Sequence, residues 1–200
     1  MNMDLKILKK LKVDYILIPN VKEIYKNKKD KKIKLNLKDK VMCALYRPGH
    51  FEGVLAVINQ FLRRIKVKYI FLGEKDYQQL YLIKKLTKRK FKVKVISCKT
   101  IRNKNKVALS SRNKLLKKYD LDKSSYIANE LLKFKNKLKK DISLNKKIVK
   151  LKNKINKISK IKIEYLEIRN KNNLSKDYNK KNFKIFIGYY NKNVRLIDNY

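Results

Sequence analysis

The sequence is poor in the residues that build metal centres and disulfide frameworks. Its 200 residues contain one histidine, two cysteines, four glycines and two prolines. A single histidine cannot by itself supply a metal cluster or a Cys/His catalytic dyad. Cys43 and Cys98 lie far apart, without the spacing of a metal site. These absences favour a protein of a reducing compartment that needs no disulfides, because a chain of this length can bury a hydrophobic core.

The sequence also lacks long apolar runs. No stretch approaches the ~20 apolar residues of a membrane-spanning helix. The first residues, Met1-Asn2-Met3-Asp4-Leu5, do not show the basic segment and apolar segment of a signal peptide. We therefore expect a cytoplasmic protein without a membrane partner.

Acidic residues are scarce, so the charge is strongly one-sided. The chain has 16 acidic against 56 basic residues and a net charge of +40. Taken alone, this charge suggests a basic nucleic-acid-binding protein, which stays open as an alternative. However, only eight basic residues are arginines, and the lysines are spread over the whole chain. A dedicated nucleic-acid surface would concentrate charge and favour the bidentate arginine, so we expect no specific nucleic-acid partner.

The first half of the chain alternates strand and helix patterns, which predicts an α/β fold with a parallel sheet. Apolar, β-branched and aromatic runs predict strands at residues 13–18, 67–71 and 91–96. Alternation at Ile33, Leu35 and Leu37 predicts an edge strand. Apolar residues at helical spacing predict helices at residues 3–12 and 54–62 and from Tyr77 onward.

The second half shows two helices followed by antiparallel strands, an order typical of a separate α+β unit. Helices are predicted near residues 124–139 and 148–158, a strand at residues 160–168, and a hairpin from residues 183–190 and 194–198. Ile161, Ile163 and Tyr165 alternate along the first of these strands. We place the first domain at residues 1–103 and the second at residues 104–200.

The chain is organised around residues 73–80, which join a predicted strand to a predicted helix. Gly73 ends the strand, Asp76 is placed to cap the helix, and Lys75 is left facing the cleft. A strand, a glycine turn, a helix N-terminus and a cation together form an anion-binding site. The alternative is an ordinary strand-to-helix loop with a cap.

Two other stretches carry candidate site residues. Ser110 and Ser111 offer two hydroxyls beside the Arg112 fork, a combination that can hold an oxyanion. The alternative is a serine cap with a solvated arginine. Arg47 and His50 flank a chain-breaking Pro-Gly pair, and the alternative for this histidine is a loop residue bonded to backbone.

Three motifs, taken together and in this order, resemble the pantothenate synthetase (pantoate–β-alanine ligase) family. They are Arg47-Pro48-Gly49-His50-Phe51, Gly73-Glu74-Lys75-Asp76-Tyr77-Gln78-Gln79-Leu80 and Leu109-Ser110-Ser111-Arg112-Asn113. Residues 13–25 and the closing Arg195-Leu196-Ile197-Asp198-Asn199 also resemble that family.

The resemblance implies a Rossmann-like nucleotide domain, truncated at its N-terminus, followed by a small α+β lid domain in a homodimer. It also implies an ATP-dependent ligase. Pantoate and ATP would give a pantoyl adenylate and pyrophosphate, and β-alanine would then displace AMP to give pantothenate. Mg²⁺ is expected with the ATP.

The resemblance further assigns site residues. The ATP-binding residues would be Gly73, Glu74, Lys75, Asp76, Ile101 (through backbone to the adenine), Leu109, Ser110, Ser111 and Arg112. Among these, Lys75, Ser110, Ser111 and Arg112 would be catalytic. Gln79 would hold pantoate, no residue is assigned to a metal, and the roles of Arg47 and His50 stay open.

One family feature is missing. The wider nucleotidylyltransferase superfamily carries a His-x-Gly-His loop after its first strand, and the only histidine here, His50, belongs to another motif. The resemblance therefore implies that the chain starts inside the family's nucleotide domain. A decayed or fragmentary ligase domain without turnover is the second alternative, and we expect no pantothenate from this chain alone.

Overall fold

The computed structural model describes residues 2–25, 33–138, 144–179 and 181–200 and confirms the α/β class. The helices are α1 (Asn2–Lys10), α2 (Val21–Ile24), α3 (Cys43–Tyr46), α4 (His50–Arg64), α5 (Tyr77–Lys90), α6 (Lys118–Leu138) and α7 (Leu144–Asn156). The strands are β1 (Tyr69–Gly73), β2 (Lys94–Cys98), β3 (Ile161–Asn170), β4 (Phe183–Asn191) and β5 (Val194–Asn199). Short 3₁₀ turns occur at Leu37–Asp39, Glu74–Asp76 and Ser111–Leu115.

The first half contains a β–α–β unit. Strands β1 and β2 pair in parallel, from Tyr69 opposite Lys94 to Gly73 opposite Cys98. Helix α5 connects them and packs its apolar face, including Leu82 and Ile83, into the core. This arrangement confirms the parallel sheet predicted from the alternation of strand and helix. It also brings the loop that follows β1 to the carboxyl edge of the sheet, where α/β proteins bind ligands.

Two predicted strands are wrong. Residues 13–18 lie in no strand or helix, and their side chains are exposed, up to 92% for Tyr15. No described residue pairs with this segment, and a strand exists only through hydrogen bonds to a neighbour, whatever its composition. Ile33 and Leu35 are irregular chain packed against the core, while Leu37 begins a 3₁₀ turn.

The second half contains an antiparallel sheet in the order β3-β4-β5. The predicted hairpin is confirmed, with β4 paired to β5 from Phe186–Asn199 to Asn191–Val194. Strand β3 has an irregularity at Glu164, because Ile163 opposes Tyr189 whereas Tyr165 opposes Gly188.

This bulge changes the direction in which β3 presents its side chains. Ile161 and Ile163 join one core cluster, but Tyr165 joins the other, and Leu166 returns to the first. The predicted alternation of Ile161, Ile163 and Tyr165 on one face is therefore wrong at Tyr165. An inserted residue reverses the two-residue period of a strand.

Two hydrophobic clusters form the core. One lies between α6, α7 and the antiparallel sheet. The other lies around α4 and α5 and includes Tyr165, Leu174 and Phe186 from the second half of the chain. The second half therefore completes the core of the first, and the division at residue 103 stays a prediction. Within the described ranges, no helix is long and apolar enough to cross a membrane.

Candidate active site

A pocket lies where the first half of the chain meets the antiparallel sheet. Its polar lining includes five residues from two of the motifs: Arg47, His50, Lys75, Asp76 and Gln79. The wall on the other side is formed by the second half, which contributes Tyr165, Phe186, Ile197, Asp198 and Asn199. The fold thus gathers polar and apolar side chains that are more than 100 positions apart into one cavity.

Lys75 occupies the 3₁₀ turn between β1 and α5. Its side chain is 20% exposed, and its Nζ lies 3.9 Å from the carboxylate of Asp76. Asp76 precedes the helix as predicted, but its side chain makes no capping hydrogen bond, so that part of the prediction is wrong. Gly73 has an extended backbone with φ −68°, which any residue can adopt. The turn itself does not require a glycine there.

His50 begins α4 and follows a glycine whose conformation the fold requires. Gly49 has φ +79°, a left-handed conformation that other residues rarely adopt. The pKa of His50 lies below its usual 6.5, mainly because of partial burial and then because of the charges of Arg47, Arg195 and Arg112. The carboxylate of Asp76 opposes this shift. Burial and the positive charges of three arginines therefore both disfavour the charged form of His50.

The Ser110–Arg112 loop lies beside the pocket rather than in its lining. Ser110 Oγ accepts a hydrogen bond from the backbone N–H of Arg112 (3.3 Å) at the start of the 3₁₀ turn, so this serine acts as a cap. Ser111 and Arg112 are exposed, and Arg112 Nη1 donates to the backbone carbonyl of Arg195 at 3.2 Å. Arg112 thus contacts β5, and its charge is close enough to His50 to lower the pKa of that histidine.

Ile101 and Leu109 are neighbours across a short antiparallel bridge formed by Arg102 and Ala108. The backbone N–H of Leu109 donates to the carbonyl of Ile101 at 2.9 Å. Both side chains are more than half exposed. Ile101 and Leu109, two of the positions that the resemblance assigned to ATP, are therefore adjacent exposed apolar residues outside the pocket lining.

The two adjacent glutamines have different environments. Gln79 lines the pocket. Gln78 is buried and donates from Nε2 to the carbonyls of Asp39 and Val41, at 3.1 and 2.7 Å. Both glutamines therefore border the pocket, but the amide nitrogen of Gln78 is used to hold the preceding segment against α5.

Sequence reasoning missed a cluster of buried polar groups in the pocket wall. Cys43 Sγ lies 3.0 Å from Tyr165 Oη and accepts from Arg195 Nη2 at 3.3 Å. Arg195 also pairs with Glu164, with an Nη2–Oε2 distance of 2.7 Å. Burial raises the pKa of the Tyr165 hydroxyl, with a further contribution from Cys43. No sequence pattern joins these residues, because the bulge at Glu164 brings them together.

Sequence reasoning also gave no role to Asp198 and Asn199. Both belong to the closing motif, and that resemblance was the only signal that could have singled them out. Asp198 is held by Arg102 through two hydrogen bonds of 2.7 and 2.9 Å. Asn199 contacts the turn that carries Lys75.

The fold and the pocket define an α/β protein with a cavity between its two halves, in which Arg47 and Lys75 line a wall that is otherwise largely apolar. Comparison with known proteins is more specific, because the family described as pantoate-beta-alanine ligase matches residues 1–200. The chain therefore belongs to the pantoate–β-alanine ligase family.

Individual relatives agree with this family. The chain is 43% identical over 132 residues to a bifunctional pantoate ligase/cytidylate kinase of Prochlorococcus marinus subsp. pastoris, covering 64% of this chain and 26% of that protein. It is 40% identical over 141 residues to a pantothenate synthetase of Buchnera aphidicola subsp. Acyrthosiphon pisum, covering 68% of this chain and 48% of that protein. The matched regions thus span less than half the length of these curated relatives.

A solved structure also matches the whole chain. It is the crystal structure of a pantoate-beta-alanine ligase from Francisella tularensis, complexed with beta-gamma ATP and beta-alanine. The TM-score is 0.80 at 33% identity, and the match covers 100% of this chain and 69% of that one.

Proposed function

We propose that this chain forms the ATP- and pantoate-binding part of a pantoate–β-alanine ligase. The observation that carries the proposal is the convergence of Arg47, His50, Lys75 and Gln79 on one pocket, with Arg112 within electrostatic range. The bound beta-gamma ATP and beta-alanine of the Francisella relative support it. The reaction would join pantoate to β-alanine through a pantoyl adenylate, releasing pyrophosphate and then AMP.

The proposed reaction requires that the substrates be oriented and that negative charge on the phosphates be stabilised. It does not require a nucleophilic side chain. The pantoate carboxylate must attack the α-phosphate in line, and negative charge develops on the departing pyrophosphate. Lys75 lies at the start of α5, where a cation and the helix N-terminus both favour an anion. Arg112 adds a second cation from the loop beside the pocket, and the hydroxyls of Ser110 and Ser111 belong to the same loop. Gln79 would hold pantoate through its carboxamide.

His50 differs from these cations because it contributes hydrogen-bonding groups rather than positive charge. In its neutral form, which the lowered pKa favours, the imidazole offers one N–H donor and one acceptor. Arg47 supplies the positive charge on the same side of the pocket. We propose that Arg47 attracts an anionic substrate through its charge and that His50 orients this substrate through hydrogen bonds.

Mg²⁺ would enter with the ATP. This ion is commonly held by one or two carboxylates together with substrate phosphates and water. Asp76 is half exposed in the pocket lining and fits that role. When bound, the ion would neutralise charge on the phosphates.

The family resemblance also leads us to propose a homodimer, which sedimentation equilibrium can test.

Exchange of labelled pyrophosphate into ATP tests the proposed reaction. The assay would contain this chain and a second polypeptide that carries the family's His-x-Gly-His loop. We expect exchange that requires pantoate and does not require β-alanine, because adenylation precedes the amine. The matched control omits pantoate. Exchange that is absent from the complete mixture, or that continues without pantoate, would contradict the proposal.

A further inference from the structure

The side chain of Asn199 holds the turn that carries Lys75. Its Nδ2 donates to the backbone carbonyl of Glu74 at 2.8 Å and to that of Lys75 at 2.9 Å. The two hydrogens of one amide nitrogen can serve two acceptors. An oxygen in that position would face two carbonyls, so the orientation of the amide is determined.

These two carbonyls belong to the peptide planes on either side of the Lys75 Cα. Each peptide unit is planar. Holding both planes therefore fixes the backbone angles φ and ψ of Lys75, and with them the direction of its Cβ. The contact thus acts on the one residue whose ammonium faces the pocket from this turn.

Asn199 is itself rigidly placed. It is 4% exposed and lies on β5 opposite Phe186 of β4. Its backbone N–H donates to Asp198 Oδ1 at 2.7 Å, and its carbonyl accepts from Arg102 Nη2 at 3.0 Å. Hydrogen bonds at both its backbone N–H and its carbonyl thus fix the position of Asn199 without a bound ligand.

Strand β5 also contacts Arg112, the second cation of the proposed ATP site. The carbonyl of Arg195, four residues before Asn199, accepts from Arg112 Nη1 at 3.2 Å. One strand of the second half therefore contacts both cations, Lys75 through its backbone and Arg112 through its guanidinium.

We propose that Asn199 is a positioning residue for Lys75, and that β5 sets the spacing between the two cations that face the phosphates of ATP. This inference rests on the proposed function for the identity of the ligand. The contact itself is independent of that identity.

A double-mutant cycle on ATP binding tests the proposal, with Kd measured by calorimetry. We expect Lys75→Ala to weaken ATP binding about tenfold and Asn199→Ala about fivefold. If Asn199 acts through Lys75, the double variant binds about as weakly as Lys75→Ala alone. A loss near fiftyfold in the double variant would show independent effects and overturn the proposal. Asn193→Ala, an exposed site in the same hairpin, is the matched control and should bind as wild type.

Hydrogen exchange provides a measurement that needs no ligand. In Asn199→Ala, and in the isosteric Asn199→Asp, amide exchange in the Glu74–Asp76 turn should accelerate while that of α6 stays unchanged. Unchanged exchange in the turn would overturn the proposed contact. Exchange that accelerates throughout the chain would also count against it, because it would indicate general destabilisation. A wild-type chain that binds no ATP would contradict the proposed function, whereas the exchange experiment would still decide whether Asn199 holds the turn.

Discussion

Gly188 lies directly against the ring of Tyr165. A Cβ atom at Gly188 would lie 2.4 Å from Cε1 and 2.7 Å from Cζ of that ring, closer than real contacts allow. Tyr165 is 5% exposed, so its ring has little room to move away. The absence of a side chain at Gly188 therefore permits Tyr165 to reach Cys43 in the pocket wall.

We expect Gly188→Ala to lower the free energy of unfolding by about 1–3 kcal/mol, because it overpacks this contact. Urea denaturation measures the change. Gly53→Ala is the matched control: Gly53 is an exposed position within α4 and has nothing within 4 Å of its built Cβ. That substitution should stabilise the protein by up to about 1 kcal/mol. Equal effects at both positions would contradict the packing argument.

We expect Lys75→Ala to reduce pantoate-dependent pyrophosphate exchange about 10²–10³-fold, because it removes one donor to the developing phosphate charge. The assay contains the second polypeptide described above. Lys84→Ala, on the exposed face of α5, is the control and should leave the rate unchanged. A reduction of less than a few-fold would remove Lys75 from its assigned role.

We expect the His50 imidazole to titrate below 6.5, because burial and three neighbouring arginines disfavour its charged form. The chain has one histidine, so its ring resonance in an NMR titration is unambiguous. Arg112→Gln should raise the pKa, whereas Arg63→Gln, exposed at the end of α4, should not. No difference between the two variants would place Arg112 outside electrostatic range.

The same shift makes stability depend on pH in a defined direction. The unfolded chain binds a proton at His50 near pH 6.5, and the folded chain binds it only at lower pH. This contribution to stability is therefore complete above pH 6.5 and is lost as the pH falls toward the folded pKa. His50→Gln should remove that part of the dependence in urea melts.

We expect nucleic acids to bind weakly and without sequence preference, since the positive charge is distributed along the chain. Affinity for two unrelated oligonucleotides, measured by fluorescence anisotropy, should fall steeply and equally between roughly 50 and 200 mM salt. Tight binding to one sequence at the higher salt concentration would favour a nucleic-acid-binding protein instead.

We expect this chain alone to make no pantothenate and to self-associate through β1. Strand β1 pairs with β2 on one side, and no described residue pairs with its other side. Tyr69 and Phe71 on this strand are 54% and 67% exposed, and unpaired apolar edges promote association. Sedimentation velocity should show less association for Phe71→Lys than for Leu115→Lys, an equally exposed apolar site outside the sheet. Pantothenate formation by a monodisperse wild-type chain would contradict this expectation.

The parts of the fold that were predicted correctly depend on local patterns. The apolar spacing from Tyr77 to Leu86 defines α5, and the strands on either side of it have β-branched and aromatic residues. Lys75 was expected to face a cleft, and it lines the pocket together with Gln79, while the binding roles of both residues stay predictions. Local periodicity and motif order were sufficient for these features.

The parts that sequence could not provide depend on distant contacts. Residues 13–18 have the composition of a strand but no described pairing partner, so composition alone misled. Tyr165 turns to the other face because of a bulge, which leaves no signature in hydrophobic alternation. The contact between Asn199 and Lys75 spans 124 positions, and no local pattern reports it.

The core beneath the pocket is completed late in protein synthesis. Leu82 and Ile83 of α5 pack in the same cluster as Leu174 and Phe186. About 100 residues separate these groups, and a ribosome adds ~5–20 residues per second. Roughly 5–20 s therefore pass between the synthesis of α5 and the synthesis of Leu174 and Phe186. Throughout that interval α5 can pack only against earlier members of the cluster, such as Phe51 and Leu55, and lacks its partners from the second half. Newly made protein should therefore depend on a chaperone that shields the first half until β4 has emerged.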